Sequence, residues 1–212
     1  MKDFPVFTTG AGAAGLILKE IPYRSKAYVK LHDTCDPQLL LEECCDFCRA
    51  VGAKQIYATG HPALESYPLH TAVWEMSRLR QGLPETDAAL FPVQQQTLGS
   101  WRALYNDRMR SVPNSATMTL EEGNKMLDRG DGYFVHKDGR LLGIGIAAGG
   151  RIDAIVSAVA GAGQEVLFAL NHALTDERVV VEVASANERA VNFYKKLGFV
   201  LTKELSRWYR IY

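Results

Sequence analysis

The chain has no net charge: 24 Lys plus Arg balance 24 Asp plus Glu. No basic excess is present to hold nucleic acid, and no overall field of either sign can steer a ligand. No apolar run approaches the ~18 residues of a membrane span, and residues 1–10 lack the apolar core of a secretion signal. Cysteine is scarce, with four in 212 residues at positions 35, 44, 45 and 48. Cys45-Asp46-Phe47-Cys48 spells C-x-x-C, but no second such pair and no His-x-x-His completes a zinc site. A redox pair belongs at a helix start after a strand, whereas these residues fall inside a helical stretch. His32, His61 and His70 are scattered and form no ligand set. The expectation is a cytoplasmic protein with free thiols and no metal, membrane or nucleic-acid partner.

What is present is an ordinary globular balance, 47% hydrophobic and 23% charged, enough for one large domain or two small ones. Strands are expected at Phe4-Pro5-Val6-Phe7, along residues 16–21, at 26–31, at 55–59 and at 71–77. Between them, Asp36-Pro37 starts a helix whose stripe is Leu39, Leu40, Cys44, Phe47, Cys48 and Val51, stopped at Gly52. Gly10-Ala11-Gly12-Ala13-Ala14-Gly15 matches G-x-G-x-x-G by letter, but strand-like residues follow where a dinucleotide site needs a helix, so a connection is expected. The polar stretch 80–87 is the best internal boundary.

Beyond it, a strand at 90–96 leads to a helix from Leu98 and a second helix capped by Thr119. Asp138-Gly139 and Gly149-Gly150 predict two successive hairpins. The third of those strands, 152–156, runs into Val159-Ala160-Gly161-Ala162-Gly163-Gln164, a glycine turn that aims backbone N–H groups from a helix start. Val166, Leu167, Leu170, Ala173 and Leu174 give that helix an apolar face. Val179-Val180-Val181-Glu182-Val183 reads as a strand covered on both faces. Ser185-x-x-Glu188 reads as a capping box for a final helix that ends at Gly198, before two closing strands.

Residues 183–199 resemble the GNAT superfamily of acyl-CoA-dependent N-acyltransferases. The family's Asn-x-x-Ala-x-x-(Phe/Leu)-Tyr-x-x-x-Gly-Phe pattern is met by Asn187, Ala190, Phe193, Tyr194, Gly198 and Phe199. The resemblance implies an α/β fold with a mixed sheet. Residues 88–212 would be the acetyltransferase domain, and residues 1–80 an α/β extension resembling a reduced second copy without a CoA site. In that extension Asp33 and Asp36 stand where the glycine turn would be, and both would repel a pyrophosphate. The resemblance further implies acetyl-CoA as cosubstrate, held by Val156, Ser157, Ala158, Val159, Gly161, Ala162, Gly163, Gln164, Asn187 and Tyr194. The strand at Val156–Ala158 would splay from the 179–183 strand and pair with the pantetheine amides. Tyr194 would protonate the departing thiolate. One departure is plain: the family's Gln or Arg at the first position of the turn is Ala158 here.

Transfer also needs a base, and Asp153 and Glu182 are the acids inside the two strands. Glu182, among valines, reads either as a base with a raised pKa or as a residue at an exposed strand end. No cysteine lies near the turn to act as a nucleophile, so direct attack of the amine on the thioester is expected. The acceptor is a small-molecule or peptide amine, and the protein a monomer or homodimer. The other reading is a non-catalytic acyl-CoA-binding or structural protein that keeps the fold.

Overall fold

The computed structural model describes residues 5–212. The chain forms two compact units, Met1–Val73 with Glu204–Tyr212, and Trp74–Lys203. This differs from the linear division expected at residues 80–88. The last strand is the reason: Tyr209 and Arg210 pair with Ala58 and Tyr57, which places the C-terminal residues with the first unit.

The first unit opens with β1 (Val6–Thr9) and β2 (Gly12–Ile17), an antiparallel hairpin. Phe4, expected in the first strand, lies outside the described residues. Gly10 and Ala11 make the hairpin turn and Gly12 begins β2, so the G-x-G-x-x-G letters form a strand connection. A short helix, α1 (Ile21–Arg24), leads to β3 (Lys26–Thr34), then α2 (Pro37–Ala50) and β4 (Gln55–Thr59). Strands β3 and β4 are parallel, with α2 as their crossover. Asp36 caps α2: its Oδ1 accepts the Leu39 N–H at 3.0 Å. A 3₁₀ turn (Pro62–Ser66) precedes β5 (Leu69–Leu79), whose first residues belong to this unit. The buried side of α2 is Leu40, Leu41, Cys44, Cys45 and Cys48. Leu39, Phe47 and Val51 of the expected stripe are exposed, because the core contact is centred one position away; Phe47 packs against Phe7 with tilted rings, centroids 5.3 Å apart. Burial pushes the Cys44 thiol up to about 12 and those of Cys45 and Cys48 up to about 11.

The second unit adds β6 (Ala89–Pro92), α3 (Leu98–Met109), α4 (Leu120–Arg129), β7 (Gly132–Lys137), β8 (Arg140–Ala148) and β9 (Arg151–Ser157). Then follow α5 (Gly163–Leu170), β10 (Arg178–Ala184), α6 (Glu188–Lys196) and the start of β11 (Val200–Arg210). Its strand order is β5-β10-β9-β8-β7-β6. Strands β6 to β9 are antiparallel neighbours, and the β9–β10 pair is parallel. Asp138-Gly139 turns the β7–β8 hairpin, with φ positive at both residues. Thr119 and Glu122 close a complete capping box on α4.

Alternation along the strands builds two cores, one on each face. Phe134, Ala154 and Val156 face α3 and α4, packing with Trp101, Tyr105 and Met126. Val135 and Ile155 join the other cluster, with Val166, Leu167 and Leu170 of α5 and Val191 and Tyr194 of α6. Trp101 is fully buried, and its indole N–H donates to the Tyr133 carbonyl at 3.0 Å. Two expectations change here. Helix α5 is buried all round from Val166 to Leu170, because Phe168 and Ala169 are also covered. The two closing strands are one continuous strand, β11.

Candidate active site at the parting of two strands

Strands β9 and β10 pair only at Arg151–Val180 and Ile152–Val181. Beyond those positions they part, while β9 keeps pairing with β8 as far as Ser157–Gly143. The backbone of β9 from residue 153 onward therefore has one edge paired and the other open toward β10. An extended chain carrying amides can add to such an edge.

Just past this opening the chain enters α5 through residues 158–162. Gly161 sits at φ +82°, a left-handed conformation that an L side chain adopts only with strain. The N-cap is Ala162, whose methyl side chain offers no acceptor to cap the helix. The N–H groups of Gly161, Gly163 and Gln164 donate to no carbonyl among the described residues. Helix α2 of the first unit differs here, since Asp36 already occupies its N-terminus. The α5 start is thus a cluster of unspent donors at the positive end of a helix dipole, suited to a phosphate. Glu165, the acid in its first turn, is drawn aside: its Oε2 accepts from Thr86 Oγ1 and lies 3.7 Å from Lys137 Nζ. One cationic side chain does reach the turn. Arg108, from the last turn of α3, donates from Nη2 to the Ala158 carbonyl at 3.0 Å.

The helix is pressed close to the sheet at two glycines. A Cβ on Gly143 would meet Val166 Cγ2 at 2.7 Å, and one on Gly145 would meet the Ala154 carbonyl oxygen at 2.9 Å and the Leu170 side chain. Both glycines lie on β8, so their lack of side chain sets the height of α5 over the strands, and with it the aim of the turn.

Tyr194 on α6 is 8% exposed, between the rings of Phe193 at 5.3 Å and Phe199 at 5.5 Å. This apolar setting pushes its phenol up to about 12. Among the described residues its hydroxyl has no hydrogen-bond partner. Asn187, not Ser185, caps α6: its Oδ1 accepts the Ala190 N–H at 3.3 Å. A turn ahead of the helix is closed by the Asn187 N–H to Ala184 carbonyl bond of 2.9 Å, so the helix starts at Glu188. With its oxygen spent on the cap, the Asn187 side chain keeps its NH₂ as a donor.

Glu182 is not a buried acid. Its side chain is 46% exposed, and Oε1 lies 2.6 Å from Arg151 Nη2. Asp153, the other acid considered, is also exposed and sits 3.5 Å from Arg151 Nε. One guanidinium thus engages both carboxylates. The alternation of β10 explains the exposure: Val179, Val181 and Val183 face the core, and Val180 and Glu182 face the other way. Arg108 had no sequence signal, because its place beside Ala158 comes from the packing of α3.

Two surface depressions lie elsewhere. One of about 670 Å³ is lined by Phe91, Phe134, His136 and neighbours in the second unit. One of about 580 Å³ is lined by Lys30, Thr59, His61, Trp208 and neighbours in the first. Neither includes a residue of the turn.

No protein-family model and no curated protein matches the chain. Solved structures do. A GCN5-related N-acetyltransferase from Anabaena variabilis superposes with a TM-score of 0.62 at 10% identity, covering 94% of this chain and 59% of its own. A GCN5-related N-acetyltransferase from Sphaerobacter thermophilus gives 0.58 at 12% identity, covering 94% and 76%. A conserved protein of unknown function from Staphylococcus epidermidis gives 0.59 at 12% identity, covering 98% and 93%.

Proposed function

We propose that this chain, which has the fold of the GCN5-related N-acetyltransferases, transfers an acetyl group from acetyl-CoA to an amine. The observation that carries the reading is the parting of β9 and β10 beside an uncapped helix start. The parted strand offers backbone groups to an amide-bearing arm, and the α5 turn offers N–H donors to a pyrophosphate. The amine attacks the thioester carbonyl directly, its nitrogen forming the new amide bond as the carbon–sulfur bond breaks. Tyr194 donates its phenolic proton to the leaving thiolate. The Asn187 NH₂ donates to a carbonyl of the pantetheine arm. The proton lost by the amine leaves through water, with Glu182 as the carboxylate at the solvent side. The first unit, its α2 start closed by Asp36, holds no CoA.

Titration calorimetry with acetyl-CoA tests the first half of this reading: absence of heat at millimolar ligand would end it. Thiol release measured across a panel of amines tests the second half. Ala158 at the turn and the exposed Glu182 favour a second reading, in which the fold binds acyl-CoA without turning it over. Binding without thiol release on any amine would select it.

A further inference from the structure

We propose that Arg108, at the C-terminal end of α3, is the cationic anchor for the pyrophosphate at the α5 turn. The proposal rests on the acetyl-CoA reading above and adds to it a residue far away in the chain. The first residue of the turn is Ala158, which cannot contact a phosphate through its side chain. The Arg108 guanidinium arrives at that same residue, with Nη2 3.0 Å from the Ala158 carbonyl oxygen. Arg108 is half exposed, and among the described residues its ion pair is with Asp107, 3.7 Å from Nε. A guanidinium carries five N–H donors in a fixed fork, so one bond to a carbonyl and one loose ion pair leave donors for an anion. The carbonyl bond also holds the fork in place before any ligand arrives, which reduces the ordering cost of binding. Glu165, the acid in the first turn of α5, has its carboxylate drawn toward Thr86 and Lys137.

An Arg108→Ala variant tests this with two probes, acetyl-CoA and S-acetylpantetheine, which has the same thioester arm but no pyrophosphate. The expected result is about a 10-fold rise in Kd for acetyl-CoA, the usual scale for one charge-assisted hydrogen bond. The KM of S-acetylpantetheine should stay unchanged. The double variant Arg108→Ala with Ala158→Arg should restore most of the lost affinity by supplying the cation from the turn itself. The wild-type affinity should also weaken with added salt more steeply than that of R108A. Equal acetyl-CoA affinity in wild type and R108A would overturn the assignment while leaving the acetyl-CoA reading intact. So would an equal loss for both probes with no rescue by Ala158→Arg, which would make Arg108 a brace for the turn. No binding by wild type at all would overturn the acetyl-CoA reading and this one together.

Discussion

Tyr194 owes its chemistry to where its ring is packed. With Phe193 and Phe199 around it, the phenolate is disfavoured and the group keeps its proton up to a pH of about 12. It is therefore protonated across the range in which an acyltransferase is assayed, which is the form the proposed proton donation requires. We expect Tyr194→Phe to lower kcat on the order of 100-fold with little change in KM, the scale of a lost general acid. The wild-type kcat–pH profile should show no descending limb from this residue between about pH 6 and pH 10. An unchanged kcat in the variant would leave Tyr194 only its packing role. The mirror case is Glu182, half exposed and held against Arg151. If it takes the amine's proton through water, Glu182→Gln should lower kcat/KM about 100-fold at neutral pH. Wild-type turnover in that variant would reduce it to an ion-pair partner. The sequence pointed to both residues; the fold buries Tyr194 and exposes Glu182. The valines around Glu182 suggested burial, and strand alternation put the acid on the opposite side from the core.

At the scale of elements, the most consequential contact is α5 on β8. Gly143 and Gly145 let the helix come close to β8, and its start follows directly on the strand that parts from β10. Gly145→Val should cost about 1–3 kcal/mol, because the added atoms meet both Leu170 and the Ala154 carbonyl and the helix must rise. Urea unfolding reads that cost. Acetyl-CoA affinity should fall with it, whereas a valine that left the urea midpoint unchanged would show that the helix height is not set here. Local signals made much of this unit readable: Asp138-Gly139 for its hairpin, Thr119 and Glu122 for the α4 capping box, Gly198 for the end of α6. The α6 cap was misplaced because Ser185 and Asn187 are both good caps by residue type. The deciding turn ahead of the helix is closed by a backbone bond that no side chain announces. The same limit hid the one-residue rotation of α2, since a stripe of Leu, Cys and Phe fits two neighbouring faces almost equally well.

For the whole molecule, the element order begins β1-β2-α1-β3-α2-β4 with a 3₁₀ turn before β5, and ends β8-β9-α5, a 3₁₀ turn, then β10-α6-β11. The pairing of β11 with β4 joins Tyr209 to Ala58, partners distant in the chain, and periodicity says nothing about such partners. What the composition did suggest was a core containing free thiols, and this gives a pH dependence with a definite sign. Cys44, Cys45 and Cys48 are pushed up from 9.0 to about 12, 11 and 11, and Tyr28 and Tyr194 from 10.0 to about 12, all chiefly by burial. Each group loses its proton more readily unfolded than folded, so above the unfolded value the unfolded chain binds fewer protons and gains on the native one. The stability from keeping these groups neutral is complete below about pH 9 and drains away as pH climbs toward about 12. The urea midpoint should therefore hold steady from about pH 7 to pH 8.5 and fall by about pH 10.5. A disulfide-exchange reagent at about pH 8 should titrate Cys35 alone in the native protein, and all four thiols only after unfolding. A midpoint that did not move between about pH 8 and pH 10.5 would mean that these groups titrate freely in the folded chain. Four reactive thiols in the native state would mean that α2 opens readily, because Cys44, Cys45 and Cys48 all lie on its buried face.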